Sequence, residues 1–152
     1  MLSEPFVLIA PNIRSAHNVG AILRTADGAG VNRVYLTGYS AQPPHPKVLK
    51  VSLGAENFVL WEYCRQTLPL LKKLKTAGYR LVALEQTKNS VSIYSWTPQL
   101  PLVLVIGNEK TGVNKKWLAL CDDVIELPMR GRKKSLNVSI AAGIALYHVS
   151  AK

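Results

Sequence analysis

Five consecutive aliphatic residues, Leu102-Val103-Leu104-Val105-Ile106, run straight into a glycine turn, Gly107-Asn108-Glu109-Lys110-Thr111-Gly112. A strand with one face in water alternates apolar and polar residues. A run without polar members needs cover on both faces, as in parallel sheets flanked by helices. Further short apolar runs recur at Phe6–Ala10, Arg33–Thr37, Phe58–Trp61, Arg80–Leu84 and Val124–Leu127. Between them lie helical patterns near Asn18–Ala29, Lys47–Leu53, Gln66–Ala77, Lys115–Cys121 and Leu136–Ser150. This alternation predicts an α/β fold, a mostly parallel sheet with helices on both faces. Proline and polar residues at Ser40–Pro46 and Lys88–Pro101 mark the longest connections. A length of 152 residues suits one domain, 1–152, with a core of its own.

Ligands of such sheets gather at the carboxyl ends of the strands. Two familiar phosphate loops fail there on the letters alone. Gly107 and Gly112 have P-loop spacing, but Val113-Asn114 stands where Lys-Ser/Thr is needed to hold phosphate and magnesium. Gly28-Ala29-Gly30 lacks the third glycine of a dinucleotide fingerprint, Arg33 standing in its place.

Lys and Arg number 19 against 9 Asp and Glu, a net charge of +10, which makes a polyanion the natural partner. Cys64 and Cys121 have no paired spacing and read as buried thiols of a reducing cytoplasm; neither a disulfide framework nor a metal site is expected. His17, His45 and His148 share no ligand spacing. The N-terminus lacks the basic and apolar regions of a signal peptide, and no apolar run reaches the ~18 residues of a membrane span.

Three segments carry chemistry together: Asn18-Val19-Gly20-Ala21-Ile22-Leu23-Arg24 through Gly30, the Gly107–Gly112 turn, and a loop from Leu127-Pro128-Met129 through Arg130-Gly131-Arg132-Lys133-Lys134 to Ser135-Leu136-Asn137. In order, spacing and position after apolar strands, they resemble the three motifs of the SpoU/TrmH family of RNA ribose methyltransferases, within the SPOUT superfamily. The resemblance spans nearly the whole chain. It implies a C-terminal trefoil knot and an S-adenosyl-L-methionine site at Leu84, Gly107, Leu127, Met129, Ser135 and Leu136. It further implies a catalytic set of Arg24, Asn18, Glu109, Ser135 and Asn137, with Glu109 orienting Arg24 or substrate. Structured RNA is the implied substrate, tRNA favoured over rRNA because the minimal domain resembles the small tRNA-modifying members. No separate RNA-binding extension is expected.

The residues themselves constrain these roles. Val19, Ile22, Leu23 and Ala26 form one helical stripe, and Arg24 projects about 140° from Val19, free to face a cleft. A guanidinium with a pKa above ~12 is a poor base, so Arg24 either acts as a perturbed base, as the family implies, or binds a phosphate and steers the hydroxyl. Ser135 and Asn137 are equally good caps for the last helix. Arg130, Arg132, Lys133 and Lys134 read as a phosphate grip, with Arg14 and Lys47 as weaker members of that surface. The last helix is apolar on nearly every face, which predicts a homodimer that covers it, or else a helix buried within the monomer. Two other functions fit the same fold: methylation of a base nitrogen, and RNA binding without turnover.

Overall fold

The computed structural model describes residues 4–152. Strands β1 (Phe6–Pro11), β2 (Arg33–Thr37), β3 (Leu60–Cys64), β4 (Arg80–Leu84), β5 (Val91–Ser92), β6 (Leu102–Ile106) and β7 (Asp123–Glu126) alternate with helices α1 (Ala16–Gly28), α2 (Pro46–Ser52), α3 (Thr67–Thr76), α4 (Lys115–Leu118) and α5 (Val138–Ser150). The strands form one sheet in the order β3-β2-β1-β6-β4-β7-β5, and every pairing is parallel. Leu104 lies between Leu8 and Val82 in register, which puts the all-aliphatic strand near the middle of the sheet.

Successive strand residues point to opposite faces, and each face has its own core. On one, Leu8, Leu36, Val82 and Leu104 pack with Val19, Ile22 and Leu23 of α1 and with Ala142, Ala145 and Leu146 of α5. On the other, Val7, Ile9, Leu81, Val103 and Val105 meet Leu70, Leu71 and Leu74 of α3. Each Val, Leu or Ile side chain taken fully from water contributes about 1.5–3 kcal/mol, so the two-sided cover that the sequence demands is also what holds the sheet. Gly20 lets α1 approach α2 closely: a Cβ there would lie 2.5 Å from the carbonyl oxygen of Val48.

The edges depart from expectation. The third strand occupies Leu60–Cys64 and not Phe58–Trp61, because Ala55–Asn57 form a 3₁₀ turn that ends at Phe58, whose side chain is 77% exposed. Pairing with β2 selects Tyr63 opposite Leu36 and Glu62 opposite Tyr35, which an edge strand tolerates. The two-residue β5 carries no periodicity of its own and was not expected. The seventh strand begins at Asp123, one residue before the predicted Val124, and ends at Glu126. Cys64 and Cys121 are half-buried and not fully buried. Among the described residues, no helix is long and apolar enough to cross a membrane.

The last helix starts at Val138, two residues later than expected, and is not covered all round. Ala142, Ala145, Leu146 and Val149 face the core, whereas Ile140, Ile144 and Tyr147 stand 55%, 44% and 53% exposed. Burial within a single chain is thereby excluded, and an apolar stripe remains on the surface. This helix follows β7 but packs on α1, which follows β1, three strands away. Residues 127–137 must therefore carry the chain back across the ends of β4 and β6.

Candidate active site

The turn after β6 is built by two glycines and an asparagine. A Cβ on Gly107 would lie 2.6 Å from the backbone carbon of Gly112, and Gly112 has φ +68°, so both positions require glycine. Asn108 closes the turn: its Oδ1 accepts from the amides of Lys110 at 2.9 Å and Thr111 at 2.6 Å, and its Nδ2 donates to the Tyr39 hydroxyl at 2.8 Å. At the end of β4, Glu85 supports the same loop, Oε2 accepting from the Val113 amide at 2.7 Å and Oε1 from the Gln86 amide at 2.8 Å. A Cβ on Gly112 would collide with that carboxylate, which shows how closely the loop is seated on it.

A third segment arrives from β7 and ends in the cap of α5. Asn137, not Ser135, is that cap, its Oδ1 accepting from the amides of Ser139 at 2.8 Å and Ile140 at 3.4 Å. The same side chain donates through Nδ2 to Asn18 Oδ1 at 3.3 Å, so one residue starts α5 and ties it to α1. Ser135 is exposed before the helix.

These segments enclose a cavity of about 350 Å³ over the ends of β4, β6 and β7, within the size range of small-molecule sites. All six residues expected to hold a cofactor, Leu84, Gly107, Leu127, Met129, Ser135 and Leu136, line it. Of the expected catalytic set, Glu109, Ser135 and Asn137 line it, and Asn18 reaches it through Asn137. Arg24 does not line it: its side chain is exposed on α1, with no ion pair or hydrogen bond to a described residue. Four residues on and on the same side of the helix, a Cβ on Gly28 would lie 2.7 Å from the Tyr147 hydroxyl, so the side of α1 that carries Arg24 borders the exposed stripe of α5.

Sequence reasoning missed Glu85, Gln86, Asn108, Lys110 and Glu126 among the lining residues. For Glu85, Gln86 and Asn108 the signal was a polar residue following an apolar strand, as for Glu109; Glu126 closes β7 itself and carried no such signal. Three carboxylates, Glu85, Glu109 and Glu126, and one cation, Lys110, give the lining a negative balance inside a chain of net charge +10. Leu84, Ile106, Leu127 and Val138 add apolar wall, so the cavity offers both apolar contact and negative charge to a ligand.

The basic residues expected to bind RNA lie outside the cavity. Arg130, Arg132, Lys133 and Lys134 are exposed on the loop that passes the cavity. The Arg14 guanidinium sits 5.6 Å from the centre of the Tyr39 ring, whose hydroxyl meets Asn108, so Arg14 adjoins the cavity rim. Lys47 is exposed in the first turn of α2. Among the described residues, no cluster of three or more His, Cys, Asp or Glu side chains is placed to hold a metal.

A model of the SpoU rRNA Methylase family matches residues 5–147. The chain is 36% identical over 145 residues to a tRNA (guanosine(18)-2'-O)-methyltransferase of Aquifex aeolicus, covering 95% of this chain and 68% of that protein. A 23S rRNA (guanosine-2'-O-)-methyltransferase of Pseudomonas putida is 33% identical over 145 residues, 95% of this chain and 58% of the relative. Among solved structures, an AdoMet-bound rRNA methyltransferase from Sinorhizobium meliloti superposes with a TM-score of 0.89 at 27% identity, over 98% of this chain and 57% of the other. The chain thus spans between about half and about two thirds of the length of these relatives.

Proposed function

We infer the activity from one premise: the chain belongs to the SpoU rRNA methylase family. It transfers a methyl group from S-adenosyl-L-methionine to a ribose 2′-hydroxyl of RNA. The observation that carries this reading is the cavity over β4, β6 and β7, where all six residues that the family resemblance assigns to the cofactor meet. S-adenosylmethionine supplies an electrophilic methyl group on a positively charged sulfur. Leu84, Leu127, Met129 and Leu136 provide apolar contact for its ring system, and the carboxylates of the lining favour its positive charge.

The 2′-hydroxyl must lose a proton as it attacks. Arg24 meets the RNA from α1, holding a phosphate and orienting the hydroxyl or taking its proton, while Asn18 and Asn137 fix the junction of α1 and α5 beneath it. Glu109 and Ser135 present oxygens at the cavity mouth. The basic run at Arg130–Lys134, with Arg14 and Lys47, grips the backbone of a structured RNA, tRNA before rRNA. The stripe Ile140, Ile144 and Tyr147, with Leu136 beside it, packs against a second copy, and Arg24 then borders the subunit contact. The return of residues 127–137 across the strand ends suits the threading of a trefoil knot. The unpaired thiols Cys64 and Cys121 suit a reducing cytoplasm.

The test is nucleoside mass spectrometry of total RNA from a strain lacking the gene, before and after methylation by the purified protein. Restoration of a 2′-O-methylnucleoside is expected. A base-methylated nucleoside in its place would favour nitrogen methylation, and RNA binding without transfer would favour a non-catalytic RNA-binding protein.

A further inference from the structure

Between β7 and the cap of α5, positions 128–136 make a single hydrogen bond among the described residues. Gln86 Nε2 donates to the carbonyl oxygen of Lys134 at 2.8 Å. One residue earlier, Glu85 takes hold of the other loop through the Val113 amide at 2.7 Å. The end of β4 thus grips both loops of the cavity with adjacent side chains. The loop held by Gln86 carries Met129, Ser135 and Leu136 in the cavity wall and Arg130, Arg132, Lys133 and Lys134 on its exposed side. One segment therefore faces the cavity on one side and carries four cations on the other, and among the described residues one hydrogen bond ties it to the rest of the chain.

We propose that Gln86 is a positioning residue that holds this loop in its binding conformation before either ligand arrives. The inference rests on the methyltransferase reading given above. Every ligand that uses a loop binds with an affinity scaled by the fraction of time the loop is ordered, and so loses more the larger the disordered fraction. With the tether in place that fraction is small, and cofactor and RNA bind independently. Without it, whichever ligand binds first meets the ordering cost and the second is spared it, so the two sites become coupled by the same factor in both directions. A residue that merely touched the cofactor would affect one ligand and create no coupling.

The experiment uses the whole protein with unreactive S-adenosylhomocysteine and unfractionated tRNA as probes. Gln86→Met keeps the length and packing of the side chain and removes the donor; Gln86→Ala serves as a second variant. In wild type, saturating S-adenosylhomocysteine leaves the RNA dissociation constant unchanged. In either variant, both dissociation constants rise by a similar factor of about two to ten, the worth of one such hydrogen bond, and saturating S-adenosylhomocysteine returns RNA binding close to the wild-type value. A variant impaired for the cofactor alone, or impaired for RNA without recovery, overturns the inference while leaving the methyltransferase reading intact. A wild-type protein that binds neither probe overturns that reading, and this inference with it.

Discussion

Arg24 is exposed on α1 and stands clear of the cavity wall, so on the proposed mechanism its removal is expected to separate methyl transfer from cofactor binding. Arg24→Ala is expected to slow single-turnover methylation by ~10²–10⁴ while calorimetric affinity for S-adenosylhomocysteine stays near wild type. Arg24→Lys should be nearly as slow, because an ammonium keeps the charge but not the planar fork that grips a phosphate. Near-normal turnover in the alanine variant would remove Arg24 from the mechanism. A second prediction concerns Cys121, whose thiol burial pushes up to about 12, with Sγ donating to the Trp117 carbonyl at 3.3 Å. The folded chain holds that proton to higher pH than the unfolded chain, where a thiol ionises near ~8.5. The resulting stability is complete below about 8.5 and is lost as pH rises toward 12. Thermal melting as a function of pH should therefore fall less steeply on the alkaline side in Cys121→Ala; an identical slope would show that the thiol does not ionise with unfolding. At this scale the family resemblance picked out six residues that line one cavity, because the strand ends and glycine turns that carry it are local in sequence. Glu85 and Gln86 were not, since their roles depend on partners 28 and 48 positions away, which no local spacing encodes.

Among the elements, α1 carries Asn18 and Arg24, and its seat against α2 is set by Gly20. Gly20→Ala places a methyl group 2.5 Å from the Val48 carbonyl oxygen, which must move. The expected cost is about 1–3 kcal/mol, typical of overpacking, seen as a lower melting temperature by calorimetry. Gly131→Ala, with nothing within 4 Å of the new carbon, is the control and should melt with wild type. Equal melting temperatures for the two would mean that α2 yields freely. Central strands were readable from sequence because burial on both faces writes an unbroken apolar run. Edge strands were not: β3 is defined by pairing with β2 against its own hydropathy, and β5 is too short to carry a period. For α5 the sequence conveyed apolarity without direction, since Ile140 and Leu146 read alike until α1 covers one of them.

As a whole molecule, the chain presents two surfaces that sequence composition announces and only the fold locates. The stripe on α5 is expected to hold a homodimer, detectable by sedimentation at micromolar concentration and broken by Ile144→Glu. A wild-type monomer at that concentration would refute the contact. The exposed basic loop is expected to set the salt dependence of RNA binding: neutralising Arg130, Arg132, Lys133 and Lys134 should each reduce the slope of log K against log salt by up to about one. An unaltered slope in the quadruple variant would place the phosphate grip elsewhere. The backward crossing of residues 127–137 also has a bearing on biosynthesis. A ribosome adding ~5–20 residues per second finishes β1 through β6 and all of α1 before Ser135, Leu136 and Asn137 have been made. No ligand can capture the nascent polypeptide through that cavity before then, so ligand binding reports translation carried past the start of the final helix.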